Sequence, residues 1–213
     1  MDNFINTIDV LGDEVVYDSI INRTITEFKD NRITSIRTCT FNKCTNLTTL
    51  DVPSVISIND NAFNGCTVLN SINIPAVTRI EAYNTFSNCK ALTKVVLPSC
   101  SYIGQGAFSF CFRLETIDCA VTDNLYIGNN AFGSINDLKA LIIRSNSVAT
   151  MANKNALLES GIYYGRGYIY VPSALMDSYK SATNWNNFSN YFRALEDYTV
   201  DGTTTSSLDE SKI

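Results

Sequence analysis

Cysteine offers the first candidate chemistry. Cys44, Cys66, Cys89 and Cys111 recur every 22 or 23 residues, and Cys39, Cys100 and Cys119 complete a set of seven. If each step is one turn of a stacked coil, the four regular thiols form a line with neighbours about 5 Å apart. A row of thiolates is a donor set for a soft metal or a redox centre. The competing reading is that each is a small buried hydrophobe at a bend, and the sequence favours it. There is no Cys-x-x-Cys pair, the total is odd, and Met1–Asn6 has neither the basic nor the apolar stretch of an export signal. Cys100 and Cys119, on or beside strands, are expected to stay reduced.

Histidine is absent from all 213 residues, which removes His-based triads, Cys/His dyads and His-ligated metals. Among the carboxylates, Asp51 and Asp118 hold equivalent positions in the pattern. Three coils apart they would be separated by roughly 14 Å, too far for the paired acids of glycoside cleavage. Gly104-Gln105-Gly106 and Gly165-Arg166-Gly167 lack the third glycine and the strand-to-helix setting of a phosphate loop, and read as turns. Asn22, Asn46 and Asn187 head Asn-x-Ser/Thr triplets that are expected by chance in so Asn-rich a chain. No nucleophile has a base beside it. The expectation is a protein that is not an enzyme and carries no metal or cofactor.

With 45% hydrophobic and 17% charged residues the chain is rich enough in apolar side chains for a real core, as one domain or one domain with an appendage. Its net charge of -5 argues against tracking nucleic-acid phosphates or an anionic membrane surface. No apolar run approaches the eighteen residues of a membrane span, so no membrane insertion is expected.

What positions the cysteines is a repeat. Phe41, Phe63, Phe86, Phe108 and Phe132 recur at 22 to 24 residues. Three residues after each Phe comes the cysteine column, ending in Ile135, and three further on stand Leu47, Leu69, Leu92, Leu114 and Leu138. Each Leu opens a strand-like alternation such as Leu69-Asn70-Ser71-Ile72-Asn73-Ile74. Pro53, Pro75 and Pro98 follow the first three of these strands, where a missing N–H ends a ladder. Before each Phe stands an Ile: Ile36, Ile58, Ile80, Ile103 and Ile127. A unit this short cannot bury its own apolar face, so the five must stack as a solenoid about 24 Å long. The segment from Ala62 to Cys66 and its equivalents predict about one helical turn per coil.

The run from Ile58 to Pro75 resembles the repeat of the BspA-type leucine-rich repeat proteins, roughly I-x-x-x-A-F-x-x-C-x-x-L-x-x-I-x-I-P. The likeness recurs five times, with Ile135 and Arg144 departing from it in the fifth unit. It implies an α/β solenoid, a right-handed leucine-rich repeat coil of about five 22–24-residue repeats with a parallel β-sheet, short helical turns and caps at both ends. The organisation expected is an N-terminal cap over 1–32, five repeats over 33–145, a C-terminal cap over 146–199 and a mobile or partner-ordered tail over 200–213. The strand and helix of Tyr168 to Lys180, with Trp185, resemble the closing element of many such proteins, and the last residues resemble tails from gut Firmicutes and their phages. The resemblance implies recognition or adhesion through a protein or glycan, on a cell surface or within a phage particle. The start at Met1 without a signal leans towards the virion. The rival reading is an intracellular scaffold that binds one protein.

The candidate contact surface is the outward face of the strands. Its two rows carry Thr49, Ser71, Lys94 and Thr116, and Asp51, Asn73, Val96 and Asp118. Tyr163 and Tyr164, in a Gly-rich turn, are candidate aromatic contacts. Tyr168, Tyr170, Tyr179, Trp185, Phe188, Tyr191 and Phe192 are expected to seal the open end of the stack. At the ends, Ile8 to Ile21 reads as amphipathic, Thr24 to Phe28 as a strand, 146–160 as an irregular coil with a short helix, and Ser173 to Lys180 as a helix N-capped by Ser173 with Asp177 in its first turn.

Overall fold

The computed structural model describes residues 10–11, 14–15, 24–81, 83–121, 123–200 and 203–204. Strands alternate between two faces along the chain. After β1 (Val10–Leu11) and β2 (Glu14–Val15) come β3 (Glu27–Lys29), β4 (Ser35–Ile36), β5 (Thr49–Asp51), β6 (Ser57–Ile58), β7 (Ser71–Asn73) and β8 (Arg79–Ile80). There follow β9 (Lys94–Leu97), β10 (Tyr102–Ile103), β11 (Thr116–Cys119), β12 (Tyr126–Ile127), β13 (Ala140–Ile143), β14 (Thr150–Met151) and β15 (Tyr168–Val171), then β16 (Phe192–Ala194) and the hairpin β17 (Thr199–Val200) and β18 (Thr203–Thr204). From β3 to β15 the odd strands build the face that each Leu column opens, and the even strands build a second, continuous parallel sheet carrying the Ile column. Both ladders are parallel, apart from the two hairpins, so the chain is a solenoid.

A third ladder closes each coil on the Phe side. The expected helical turn does not form there. Each Phe sits midway between two residues with left-handed backbone: Cys39 and Lys43 around Phe41, Asn61 and Gly65 around Phe63, Asn84 and Asn88 around Phe86, Gly106 and Phe110 around Phe108, and Asn130 and Ser134 around Phe132. A helix cannot continue through such residues. The backbone turns instead, and alternate N–H groups reach the next coil, as in Phe41 N to Ala62 O at 2.7 Å and Phe63 N to Thr85 O at 2.8 Å. The small or amide-bearing types at most of these positions tolerate that conformation.

Inside, Phe41, Phe63, Phe86 and Phe108 stack ring on ring with centroids 5.0, 5.0 and 5.2 Å apart, and Phe132 follows at 6.2 Å. Three cysteines of the column donate their S–H to the Phe carbonyl of the preceding coil: Cys66 to Phe41 O at 3.1 Å, Cys89 to Phe63 O at 3.3 Å and Cys111 to Phe86 O at 3.1 Å. The thiol thus satisfies a second lone pair of a buried carbonyl that already accepts from its own coil's cysteine N–H, as in Cys44 N to Phe41 O.

The stack runs one coil beyond the five-repeat ruler. Met151 continues the Ile column, Leu157 stands where Phe is expected, and β15 pairs with β13 and is followed by Pro172. At the other end, β3 pairs with β5 and Phe28 packs 4.9 Å from Phe41; this strand covers Glu27–Lys29, so of the strand expected over Thr24 to Phe28 only Glu27 and Phe28 belong to it. Most of the amphipathic run from Ile8 to Ile21, and most of the tail over 200–213, lie outside the described residues.

Tyr179, Trp185, Phe188 and Phe192 are buried over the last coil. Trp185 Nε1 donates to Ala149 O at 2.6 Å, and Tyr179 Oη accepts from Ala149 N at 2.9 Å. Ser173 does not cap a helix as expected. It lies in a 3-10 turn over Ser173–Leu175, its Oγ 3.2 Å from Glu196 Oε1, and α1 (Met176–Ser181) follows with Asp177 in its first turn. The short helix expected in 146–160 is a 3-10 turn over Lys154–Leu157, capped by the Asn153 side chain.

Candidate functional site

The outward rows of the odd strands meet two different fates. Over β3, β5, β7 and β9 they face solvent. Thr49, Asp51, Ser71, Asn73, Lys94 and Val96 line one cleft of about 640 Å³, with Lys29, Leu50, Asn70, Ile72, Ile74, Pro75 and Pro98 completing its walls. Asn73 Nδ2 donates to Asp51 Oδ1 at 2.8 Å across β5 and β7, which fixes two of the polar groups in the floor.

Asp118 departs from the reading that placed it on an open face. It is 6% exposed, and Arg144 grips it bidentately with one edge of its guanidinium, Nε to Oδ1 and Nη2 to Oδ2, each at 2.9 Å. The reason is the cover above it. The chain returns after β16 and lays Leu195 over Ala140 and Ile142, with Tyr170 and Tyr198 packed against them. Tyr198 stacks edge-on at 4.8 Å from Tyr170 and meets the half-buried Thr116, and burial raises its phenol pKa. Tyr170 therefore seals the strand face rather than the end of the coil. Tyr168, also expected in the end seal, projects from β15 at 38% exposure with the Arg193 guanidinium 4.0 Å above its ring.

The cleft exists because the strand ladder is interrupted. β3, β5 and β7 form one sheet and β9, β11, β13, β15 and β16 another, with no pairing between β7 and β9. The bonds that join other coils at this level run from Asn70 N to Thr48 O, from Glu115 N to Thr93 O, and from Val52 N to Asn73 O. Their equivalents here, linking Thr93 and Lys94 N–H to Asn70 O and Ile74 N–H to Val96 O, do not form. The neighbouring faces stay closed: β6 pairs with β8, and Phe63 N reaches Thr85 O. The interruption falls at the coil with one extra residue on its Phe side, where Tyr83 and Asn84 are both left-handed and both donate to Gln105 O. In the inward column, Leu50, Val95, Ile117, Leu141 and Ile169 are sealed, whereas Ile72 is half-buried beside the gap.

Tyr163 and Tyr164 stand well away from this cleft in sequence, on a loop inserted in the sixth coil, 46% and 53% exposed and edge-to-face at 5.4 Å. The loop is pinned down. A side chain at Gly161 or Gly167 would meet the Leu138 carbonyl oxygen, and Arg166 donates to Asn136 O at 3.2 Å. An aromatic stack on the second sheet escaped the repeat columns. Tyr102 and Tyr126 stack at 5.0 Å on the second sheet, with Arg79 over Tyr102 at 4.3 Å. Its signal is the position just before the Ile column, where these three residues follow Ser35 and Ser57.

The buried thiols have little reactive character. Burial pushes Cys111 and Cys100 up to about 12 and raises Cys89 and Cys119 as well, so they stay protonated and weakly nucleophilic at neutral pH. Among the described residues no three His, Cys, Asp or Glu side chains gather as a metal site, and no helix is long and apolar enough to cross a membrane.

Comparison with known proteins agrees with this architecture. The BspA type leucine rich repeat region matches in six copies across residues 34–160. Among solved structures, the pneumococcal vaccine antigen PcpA superposes with a TM-score of 0.60 at 18% identity, over 85% of this chain and 44% of that one. A leucine rich cell surface protein of Faecalibacterium prausnitzii gives 0.54 at 26% identity, over 66% of this chain and 37% of that one. The chain thus spans less than half the length of either. No curated protein matches it.

Proposed function

We propose, on the premise that the chain belongs to the BspA-type leucine-rich repeat family, that it is a recognition protein without catalytic activity. It holds a protein or glycan of a cell surface in the open half of its strand face. The observation that carries this reading is the convergence of Thr49, Asp51, Ser71, Asn73, Lys94 and Val96 on one cleft while Asp118, Ala140 and Ile142 further along the same face are buried. A rigid wall of short polar side chains and main-chain groups suits binding without rearrangement. The description of the Faecalibacterium relative as a cell surface protein favours display at a surface, and a phage particle offers the same display.

The test is flow cytometry of labelled protein on intact gut bacteria and human epithelial cells, with Asn73→Arg and a Tyr163→Ala/Tyr164→Ala pair as variants. Saturable binding lost in Asn73→Arg, with an unchanged melting temperature, is the expected result. Undiminished binding by Asn73→Arg moves the site off the strand face. Absence of binding to every cell type removes the surface reading and points to a partner inside the cell or particle that makes the protein.

A further inference from the structure

We propose that the gap between β7 and β9 is a strand-acceptor slot: an extended peptide segment of the ligand enters it and completes the interrupted ladder through main-chain hydrogen bonds. This rests on the strand-face reading above and names its ligand as a peptide rather than a glycan.

The argument begins with hydrogen-bonding capacity. Asn70 O, Ile74 N–H, Thr93 and Lys94 N–H and Val96 O face one another across the gap without a backbone partner, although the same groups are bonded at other junctions of the face. Strand edges with unmet donors and acceptors are templates for another strand, and these lie within a wall that the solenoid holds rigid on its other two sides. The side chains agree with an extended peptide. Ile72 is the one half-buried member of its column, so an apolar side chain of the incoming strand gains contact with it and with the Val96 flank. Alternate side chains of that strand would then point outward past Lys94, which is exposed and makes no ion pair among the described residues, and past Lys29, held by Glu27 at 2.6 Å. An acidic residue at that register meets the Lys94 ammonium. A glycan is the poorer fit, because among the described residues the cleft lining contains no aromatic ring on which a sugar could stack.

The experiment uses the full chain and two probes: a library of random heptapeptides, and resynthesised winners with alternate backbone nitrogens methylated. Amide hydrogen exchange is followed at Ile74, Thr93 and Lys94, whose N–H groups should exchange fast in the free protein and slow down on binding. The expected winners carry an apolar residue next to an acidic one. Methylation should weaken them about 30-fold or more, since it deletes several backbone hydrogen bonds. Lys94→Glu should disfavour the acidic residue while leaving backbone protection intact. The proposal is overturned if no library member slows those three amides, or if methylated and unmethylated peptides bind equally. Should peptides fail while cell binding remains sensitive to Asn73→Arg, the slot is wrong and the strand-face reading stands; failure of both removes both.

Discussion

Asp51 and Asp118 occupy one column of one solenoid, yet one sits in a solvent cleft and the other lies under a lid. Three coils separate them. Around Asp51 the outward rows are Thr49, Ser71 and Asn73, all short and polar, and the backbone ladder breaks one strand further on. Around Asp118 they are Ala140 and Ile142, covered by Leu195 and Tyr198. The contrast shows that position in the repeat fixes which way a side chain points, while the rest of the chain decides whether that direction is outside. The C-terminal segment covers half the face, and the half it leaves bare is where binding is placed.

The largest effect should fall on both halves together, because they share a single core. Thiols held near pKa 12 by burial at Cys111 and Cys100 titrate near 9 once unfolded. Above about pH 9 the unfolded chain gives up protons that the folded chain keeps, so stability falls from there until about pH 12, and is fully present below 9. Urea midpoints taken at pH 8, 10 and 11 should drop steadily. Amide exchange should show β5 and β13 opening as one unit. Separate openings of the two halves would break the comparison, by making the covered half a unit with its own stability.

Asp118→Ala comes next. Removal of the carboxylate takes from the nearly buried Arg144 the acidic partner that grips it under the lid, and breaking a buried ion pair from one side costs about 3–5 kcal/mol. Chemical denaturation measures it. A cost under about 1 kcal/mol would mean that the lid opens readily to water and that the closed half is closed only in name.

Much of this was open to inspection in the residues themselves, for definite reasons. The Phe, Cys, Leu and Ile columns announce the coil because identical types stack at each level. The sixth coil escaped because Leu157 replaces Phe, Ser160 stands near the Cys position, and the loop over 161–167 shifts the strand; Pro172 after Val171 was the surviving marker. The helical turn was misjudged because its breakers include Lys43, Ser134 and Phe110, types with no preference for left-handed backbone. Asp118 was misplaced because Arg144 and Leu195 reach it only through the folded path. One clue was local: Ala140-Leu141-Ile142-Ile143 is apolar at every position, the pattern of a strand buried on both faces. The break between β7 and β9 has no such clue in either strand, whose alternation matches that of paired neighbours.

The smallest effect is the most discriminating. Asp51→Ala removes the exposed bond from Asn73 and a solvent-screened attraction to Lys29, so its stability cost should stay within about 0.5 kcal/mol, read from the same denaturation curves as Asp118→Ala. The two substitutions are chemically identical and occupy equivalent strand positions, so the repeat contributes the same to both. Any difference measures what surrounds Asp118 and not Asp51: the Arg144 ion pair and the lid that buries it. If Asp51→Ala proves as damaging as Asp118→Ala, the cleft is part of the fold's support and not a surface left free for a ligand. If it is silent in stability yet weakens cell binding, the same carboxylate that serves structure in one half serves recognition in the other.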